Sequence, residues 1–153
     1  MTESARLRVS IVALFVDRDD VLLLHQMTPP EPNCWDLPGG GLEAHEAIAD
    51  GLRREVQEET GVTQFTIDRL LMVTELFLER PDQSTLHTIN IIYRCTVLDR
   101  SQPLFSSDPE VGPKGIQWIS IASLREEDCS RRCWTALKSA GLVNATDSSE
   151  ALA

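Results

Sequence analysis

Three glutamates in one short segment have the type and spacing that metal chemistry requires. Glu55, Glu58 and Glu59 follow an i, i+3, i+4 pattern, which places their carboxylates on one face of a helix. At about 100° per residue, Glu55 and Glu59 border the apolar side of that helix. Carboxylates held this close repel one another, and partial burial adds a desolvation cost. A hard divalent cation, Mg²⁺ or Mn²⁺, is the simplest compensation, and a solvated acidic face is the alternative.

The segment that carries these glutamates is predicted to be a helix from about Ala44 to Thr60. Ile48, Leu52 and Val56 recur every four residues, and Gly61 is a suitable C-terminal stop. Acidic residues in the last two turns oppose the helix dipole. Such a local conflict is typical of a functional site, where the fold accepts a cost in stability.

The remaining elements are predicted mainly as strands. Two apolar runs around a polar turn indicate a hairpin near the N-terminus. The predicted elements are strands at 7–16, 21–26, 65–78, 87–98 and 116–119, a short helix near Ala122 and a last helix at 131–140. Strands that flank an amphipathic helix indicate a mixed α/β or α+β fold. We expect one domain over residues 1–143 and a flexible tail over 144–153.

The residues around the glutamate cluster resemble the box of the Nudix hydrolase family, in its MutT-like form. All nine specified positions match over 23 residues. In order, they are Gly40, five residues, Glu46, seven residues, Arg54-Glu55-Val56, one residue, Glu58-Glu59, one residue and Gly61-Val62. The preceding Trp35-Asp36-Leu37-Pro38-Gly39 matches the lead-in common in that family. The resemblance implies an α/β/α sandwich with a mixed β-sheet.

The resemblance also implies an activity, the hydrolysis of the pyrophosphate bond in nucleoside diphosphate-linked compounds by a metal-activated water. By position, Glu55, Glu58 and Glu59 are the catalytic residues and metal ligands, and the carbonyl of Gly40 is a further ligand. The implied cofactor is Mg²⁺ or Mn²⁺, which would neutralise the pyrophosphate. This cation also explains how an acidic protein holds an anionic substrate.

Three further residues are assigned by their position in the family pattern. Glu46 and Arg54 match an ion pair that holds the loop against the helix, which is a role of structural support. Glu110 lies in the loop from which family members often recruit one more catalytic acid. Asp108 lies in the same loop, but Glu110 is preferred for its reach. The alternative for Glu110 is a plain solvated loop acid.

Candidate substrate-binding residues surround the glycine-rich loop. Gly39, Gly40 and Gly41 allow the backbone to approach phosphates closely. Trp35, at the rim of this loop, either stacks on a nucleobase or packs beneath the loop. His25 ends a predicted strand, where it is a candidate phosphate contact or an ordinary strand-end histidine.

Two positions depart from the usual family pattern. His45 stands where relatives usually have glycine, just before the box glutamate. Gly51 replaces a frequent alanine on the helix, at a cost of about 1 kcal/mol in helix propensity. Both departures bear on loop shape or packing, because neither position belongs to the nine specified ones.

The overall composition limits the partners. The chain has 14 basic and 24 acidic residues, for a net charge of -10. Nucleic acids and anionic membranes need a basic face, so neither is an expected partner. The longest early apolar run, Ile11 to Val16, is too short to span a membrane and lacks a signal-peptide cleavage site. We therefore expect a cytoplasmic protein with four reduced cysteines, for which a homodimer is a candidate assembly.

The substrate class follows from elimination. The chain lacks the residues typical of family members that act on NADH, dinucleoside polyphosphates or ADP-ribose. This favours conversion of a (d)NTP to a (d)NMP and pyrophosphate. The alternatives are an ADP-sugar or ADP-ribose pyrophosphatase, and a nucleotide-sensing domain of the same fold without turnover.

Overall fold

The computed structural model describes residues 5–29 and 31–144, with seven β-strands and two α-helices among them. In chain order, the elements are β1 Ala5–Asp17, β2 Asp20–Gln26, β3 Cys34–Asp36, β4 Gly39–Gly41, α1 Ile48–Thr60, β5 Phe65–Glu79, β6 Thr85–Val97, β7 Val111–Ser120 and α2 Arg131–Ser139. From residue 145 onward, the predicted tail lies outside the described residues.

The strands form one mixed sheet in the order β3-β2-β1-β6-β5, with β4 paired to β1 and β7 paired to β2. β1 and β6 run parallel, from the pair Ala5 and Thr85 to the pair Phe15 and Cys95. The other pairs are antiparallel, including the predicted hairpin of β1 and β2. The long β1 strand therefore joins two groups of strands and places β4 beside its centre.

Alternation along β1 creates two hydrophobic cores. Val12 and Leu14 face one core, which α2 covers with Cys133, Trp134 and Leu137. The neighbouring residues of β1 face the other core, which is covered by α1. That second core contains Ile11, Ala13, Phe15, Leu22, Leu52, Val56, Val62, Phe65 and Cys95. The two helices thus lie on opposite sides of the sheet, as the sandwich prediction required.

Three predicted boundaries are wrong. The first helix begins at Ile48 and not at Ala44, because His45 has φ 66°, a left-handed conformation that a helix cannot include. β7 begins at Val111, since pairing with Gln26 of β2 extends it beyond the apolar run. The helix expected near Ala122 consists of two short 3₁₀ turns.

The structure explains the unusual residues at positions 45 and 51. The positive φ of His45 is the conformation that favours glycine, the usual family residue there. A Cβ on Gly51 would lie 2.6 Å from Ile11 Cδ1 and 2.7 Å from Glu46 Oε1. Gly51 therefore allows α1 to pack closely against β1 and the preceding loop, and a larger residue would require these side chains to move.

The structure also describes the state of the cysteines and the length and apolarity of the helices. All four cysteines are buried free thiols. In the described part of the chain, no helix combines the length and apolarity that crossing a membrane requires.

Candidate active site

The three box glutamates line an open crevice of about 850 Å³. Its walls come from the end of α1, the segment around Gly39 and Gly40, one face of β5 and β6, the loop before β7, and the start of α2. This volume lies in the range of small-molecule sites. The tertiary structure thus brings Glu55, Glu58 and Glu59 to one cavity with the glycine-rich segment.

Glu59 is the most buried of the three box glutamates. Its exposed fraction is 9 %, and Oε1 accepts a 2.6 Å hydrogen bond from the backbone N–H of Gly39. Burial raises the pKa of Glu59 to about 8, although the hydrogen bond from Gly39 opposes this shift. The negative charges of Glu55 and Asp108 raise the pKa further. The site thus contains an acidic group that the protein alone does not stabilise in its charged form.

Glu55 lies directly against Gly40. A Cβ on Gly40 would be 2.6 Å from the carboxylate carbon of Glu55, so a larger residue at this position would displace the carboxylate. Burial is also the main cause of a raised Glu55 pKa, and the guanidinium of Arg54 opposes it. The backbone of Gly40 and the Glu55 carboxylate are consequently adjacent, as the predicted ligand set requires.

Arg54 ties the loop before α1 to the helix. Its Nε and Nη2 donate hydrogen bonds of 2.7 and 3.0 Å to the two carboxylate oxygens of Glu46. Nη2 also donates to the carbonyl of Gly41, and Nη1 donates to Glu55 at 2.9 Å. The hydrogen bonds from Arg54 hold the pKa of Glu46 at about 2. This geometry supports the structural role predicted for Glu46 and Arg54.

Glu58 is the most accessible of the three glutamates. Its side chain is 50 % exposed and lies 3.4 Å from Nη1 of Arg54. Its backbone carbonyl accepts hydrogen bonds from the N–H and the hydroxyl of Ser107. The end of α1 therefore positions the loop that follows β6.

This loop brings two acids to the crevice, Asp108 and Glu110. Asp108 accepts a 2.9 Å hydrogen bond from the backbone N–H of Glu110, and it contributes to the raised pKa of Glu59. Glu110 is exposed. Both acids thus line the crevice, and the negative charge of Asp108 contributes to the raised pKa of Glu59.

His25 does not line the crevice. Leu24 and Gln26 do, so the alternation of β2 turns the histidine to the opposite side. There His25 is 3 % exposed. Nδ1 accepts a hydrogen bond from the N–H of Lys114 at 3.1 Å, and Nε2 lies 2.9 Å from Oδ1 of Asn33. Because both ring nitrogens have protein partners, the structure gives His25 a packing role and not a phosphate contact.

Trp35 and Gly41 are also absent from the crevice lining. Trp35 pairs with His25 across β2 and β3, with 5.8 Å between ring centroids, and it packs against the core covered by α2. The structure thus favours the packing alternative for Trp35. The position that a Cβ of Gly41 would take lies 3.3 Å from Nε of Arg8, and Arg8 does line the crevice.

A polar network on the opposite wall was missed by sequence reasoning. Arg132 donates to both carboxylate oxygens of Asp36, at 3.0 and 2.9 Å, and to Oδ1 of Asn90 at 3.0 Å. Ser130 also donates to Asp36, and Asn90 donates to Thr74. The position of Asp36 in the lead-in motif was a usable signal. Arg132 had none, because its contact with Asp36 spans 96 residues.

The glutamates fit a divalent cation in the chemistry of their donors. Carboxylate oxygens are hard ligands, and burial raises the pKa values of Glu55 and Glu59, so a nearby cation would favour their charged forms. Among the described residues, no three acidic, histidine or cysteine side chains converge closely enough to form a ready-made metal site. Instead, Nη1 of Arg54 contacts both Glu55 and Glu58.

Comparison with known proteins identifies relatives of this chain. The family model described as the NUDIX domain matches residues 5–136. The 8-oxo-dGDP phosphatase NUDT18 of Homo sapiens is 34 % identical over 87 residues, which are 51 % of this chain and 27 % of that protein. The nucleoside triphosphatase NudI of Escherichia fergusonii is 42 % identical over 55 residues, 34 % of this chain and 39 % of that protein. The matches thus span less than half the length of these curated relatives.

A solved structure supports the fold. The MutT NUDIX hydrolase from Burkholderia pseudomallei superposes with a TM-score of 0.68 at 24 % sequence identity. The match covers 88 % of this chain and 98 % of that chain. The predicted mixed α/β fold is confirmed.

Proposed function

Because the chain belongs to the NUDIX family, whose model it matches over residues 5–136, we propose that it is a divalent-metal-dependent nucleotide pyrophosphohydrolase. Its reaction is hydrolysis of a phosphoanhydride bond in a nucleoside di- or triphosphate, with a nucleoside monophosphate as product. For a (d)NTP the second product is pyrophosphate. The named activities of NUDT18 and NudI support this substrate class.

One observation carries the proposal. Glu55, Glu58 and Glu59 line the same crevice as Gly39 and Gly40, and this crevice is large enough for a nucleotide. Clustered carboxylates near glycine backbone form a site that takes a cation and a phosphate together. A purely structural acidic helix would instead point these groups at water.

The chain's own residues prepare this site for phosphoryl chemistry. Glu55, Glu58 and Glu59 would hold the cation, with the carbonyl of Gly40 as a further donor. When bound, a divalent cation neutralises phosphate charge and lowers the pKa of a coordinated water. Arg54 holds the loop and α1 in one arrangement through Glu46, so the donors keep their positions relative to the phosphates. Positioning and charge stabilisation are the main requirements of phosphoryl transfer.

The experiment that tests the proposal is product analysis by chromatography across a panel of substrates. The panel contains dNTPs, dNDPs and their oxidised forms, ADP-ribose, ADP-sugars, NADH and diadenosine polyphosphates, each with Mg²⁺, Mn²⁺ or EDTA. We expect cleavage of a nucleoside di- or triphosphate to the monophosphate with metal and none in EDTA.

Two other outcomes would replace the proposal. Preferred cleavage of ADP-ribose or an ADP-sugar would assign the alternative pyrophosphatase activity. An absence of cleavage across the panel, together with a nucleotide-dependent rise in Tm, would assign a sensing domain, since a bound ligand stabilises the folded state even without turnover.

A further inference from the structure

The guanidinium of Arg8 lies close to Gly41, where a side chain would otherwise project. Gly41 of β4 pairs with Ser10 of β1, two residues along the strand from Arg8. A Cβ on Gly41 would lie 3.3 Å from Nε and 3.5 Å from Nη2 of Arg8. Arg8 and Ser10 both line the crevice, because alternate residues of β1 share one face. The glycine therefore admits a guanidinium to the edge of the candidate site.

The other two arginines near the glutamates are already occupied. Arg54 contacts Glu46, Glu55 and the carbonyl of Gly41. Arg132 contacts Asp36 and Asn90.

Arg8, by contrast, has no ion pair or side-chain hydrogen bond within the described part of the chain. Its charge still reaches Glu55, whose pKa it lowers against the larger effect of burial. Its donors are thus available in the crevice that the three box glutamates also line.

We propose that Arg8 is a substrate-binding residue whose guanidinium donates hydrogen bonds to a phosphate of the nucleotide substrate. The inference rests on the proposed function for its substrate class. A guanidinium offers forked donors that match phosphate oxygens, and it is charged at any working pH. In a crevice with so many acidic side chains, a fixed cation in addition to the metal lowers the cost of holding a polyanion.

Arg131 also lines the crevice, but it belongs to α2. Among the described residues, no ion pair or hydrogen bond holds its guanidinium beside α1, whereas Arg8 adjoins Gly41, the neighbour of the Gly40 that lies against Glu55. Arg8 is therefore the arginine assigned to the phosphate.

The first test compares Arg8→Ala and Arg8→Lys with the parent protein in steady-state kinetics. We expect Arg8→Ala to lower kcat/KM by about tenfold to a hundredfold, the loss typical of one charge-assisted hydrogen bond. Arg8→Lys should restore part of the activity, because it keeps the charge and loses the fork. Arg6→Ala is the matched control, since Arg6 has the same charge and strand face but lies outside the crevice lining. An equal loss in Arg6→Ala would overturn the proposal.

A second test uses Gly41→Ala, alone and combined with Arg8→Ala. The φ of Gly41 is not positive, so its backbone accepts alanine without strain. The added Cβ presses on the guanidinium, and we expect it to lower kcat/KM in the parent protein and to have little effect in the Arg8→Ala background. Equal losses in the two backgrounds would show that Gly41 acts independently of Arg8 and would contradict the inference.

A binding measurement separates this inference from the proposed function. Isothermal titration with inorganic pyrophosphate and Mg²⁺ should show binding to the parent protein that weakens at least about tenfold in Arg8→Ala. Tm values check that each variant is folded. Arg8-dependent binding without cleavage in the substrate panel would support Arg8 and reject the proposed activity. Cleavage in the substrate panel, with a pyrophosphate affinity that is unchanged in Arg8→Ala, would support the activity and reject the role of Arg8. Cleavage by a parent protein that does not bind pyrophosphate would lead to the same conclusion.

Discussion

The buried carboxylate of Glu59 accepts a 2.6 Å hydrogen bond from the backbone N–H of Gly39, twenty residues earlier. Gly39 has φ 152°, and a Cβ there would overlap the carbonyl oxygen of Ile11. Glycine at position 39 therefore allows the chain to pass between β1 and the end of α1. One carboxylate thus joins the glycine-rich segment to the helix that carries the cluster.

The first prediction concerns the pH dependence of stability in metal-free protein. Burial raises the pKa of Glu59 to about 8, against 4.5 for an ordinary glutamate. The folded state holds the proton of the Glu59 carboxyl group more tightly than the unfolded state does. The stability that comes from this difference is fully present below pH 4.5 and is lost as pH rises through 8. Glu59→Gln remains neutral and keeps an oxygen to accept from Gly39. We expect its Tm in EDTA to depend less on pH across this range than the Tm of the parent.

Thermal unfolding in EDTA at several pH values from about 5 to about 8 measures this difference. The Tm of Glu59→Gln should rise relative to the Tm of the parent protein as pH increases. Parallel Tm curves for the two proteins would show that Glu59 does not titrate in this range.

The second prediction concerns the proposed cation. Glu58→Gln should lower kcat by about a hundredfold or more while Tm without metal is retained, because its half-exposed side chain contributes little to packing. Titration of Mg²⁺ should also show a weaker apparent affinity. Glu127→Gln is the control, since Glu127 is an exposed glutamate outside the crevice lining. Full activity of Glu58→Gln would remove this residue from the metal-ligand set.

The third prediction concerns the ion pair of Glu46 and Arg54. Glu46→Gln removes a carboxylate whose pKa Arg54 holds at about 2. The stability that the parent protein gains from this lowered pKa is present above pH 4.5 and is lost as pH falls through 2. The stability of Glu46→Gln should therefore fall less steeply than that of the parent over this acid range. We also expect metal affinity to fall about tenfold to a hundredfold, the usual effect of losing a support residue. Unchanged Mg²⁺ activation would show that the pair does not position the donors.

The fourth prediction reverses the expectation from helix propensity. Alanine is about 1 kcal/mol more favourable than glycine inside a helix. Gly51→Ala should nevertheless lower Tm, because its Cβ would lie within 3 Å of Ile11, Leu42 and Glu46. Thermal unfolding measures the change, and Gln57→Ala on an exposed position of α1 is the control. An increase in Tm for Gly51→Ala would mean that the neighbouring side chains move aside at little cost.

The fifth prediction separates the two acids of the loop before β7. If Glu110 is the additional catalytic acid, Glu110→Gln should lower kcat by about a hundredfold and leave Tm unchanged. Asp108→Asn removes a charge but keeps an oxygen that accepts from the N–H of Glu110. A larger loss of kcat in Asp108→Asn than in Glu110→Gln would assign the catalytic role to Asp108, which already influences Glu59.

The sequence alone determined the parts of this protein that depend on local spacing. The i, i+3, i+4 glutamates predicted a metal-binding face because helix geometry fixes their relative directions. The body of α1, the β1–β2 hairpin and the long β5 and β6 strands were predicted correctly, since apolar periodicity reports which face is buried. The start of α1 was missed because a positive φ at His45 has no signature in hydrophobic spacing.

Only the tertiary structure decided what surrounds the glutamates. The pairing of Arg132 with Asp36, the placement of Arg8 beside Gly41 and the turning of His25 away from the crevice all depend on strand register and helix packing. The two contacts join residues that lie far apart in the chain, and the orientation of His25 depends on which face of β2 is buried. Burial and charge in the assembled fold stabilise these arrangements. Local sequence therefore specified the candidate site residues, and long-range packing specified their environment.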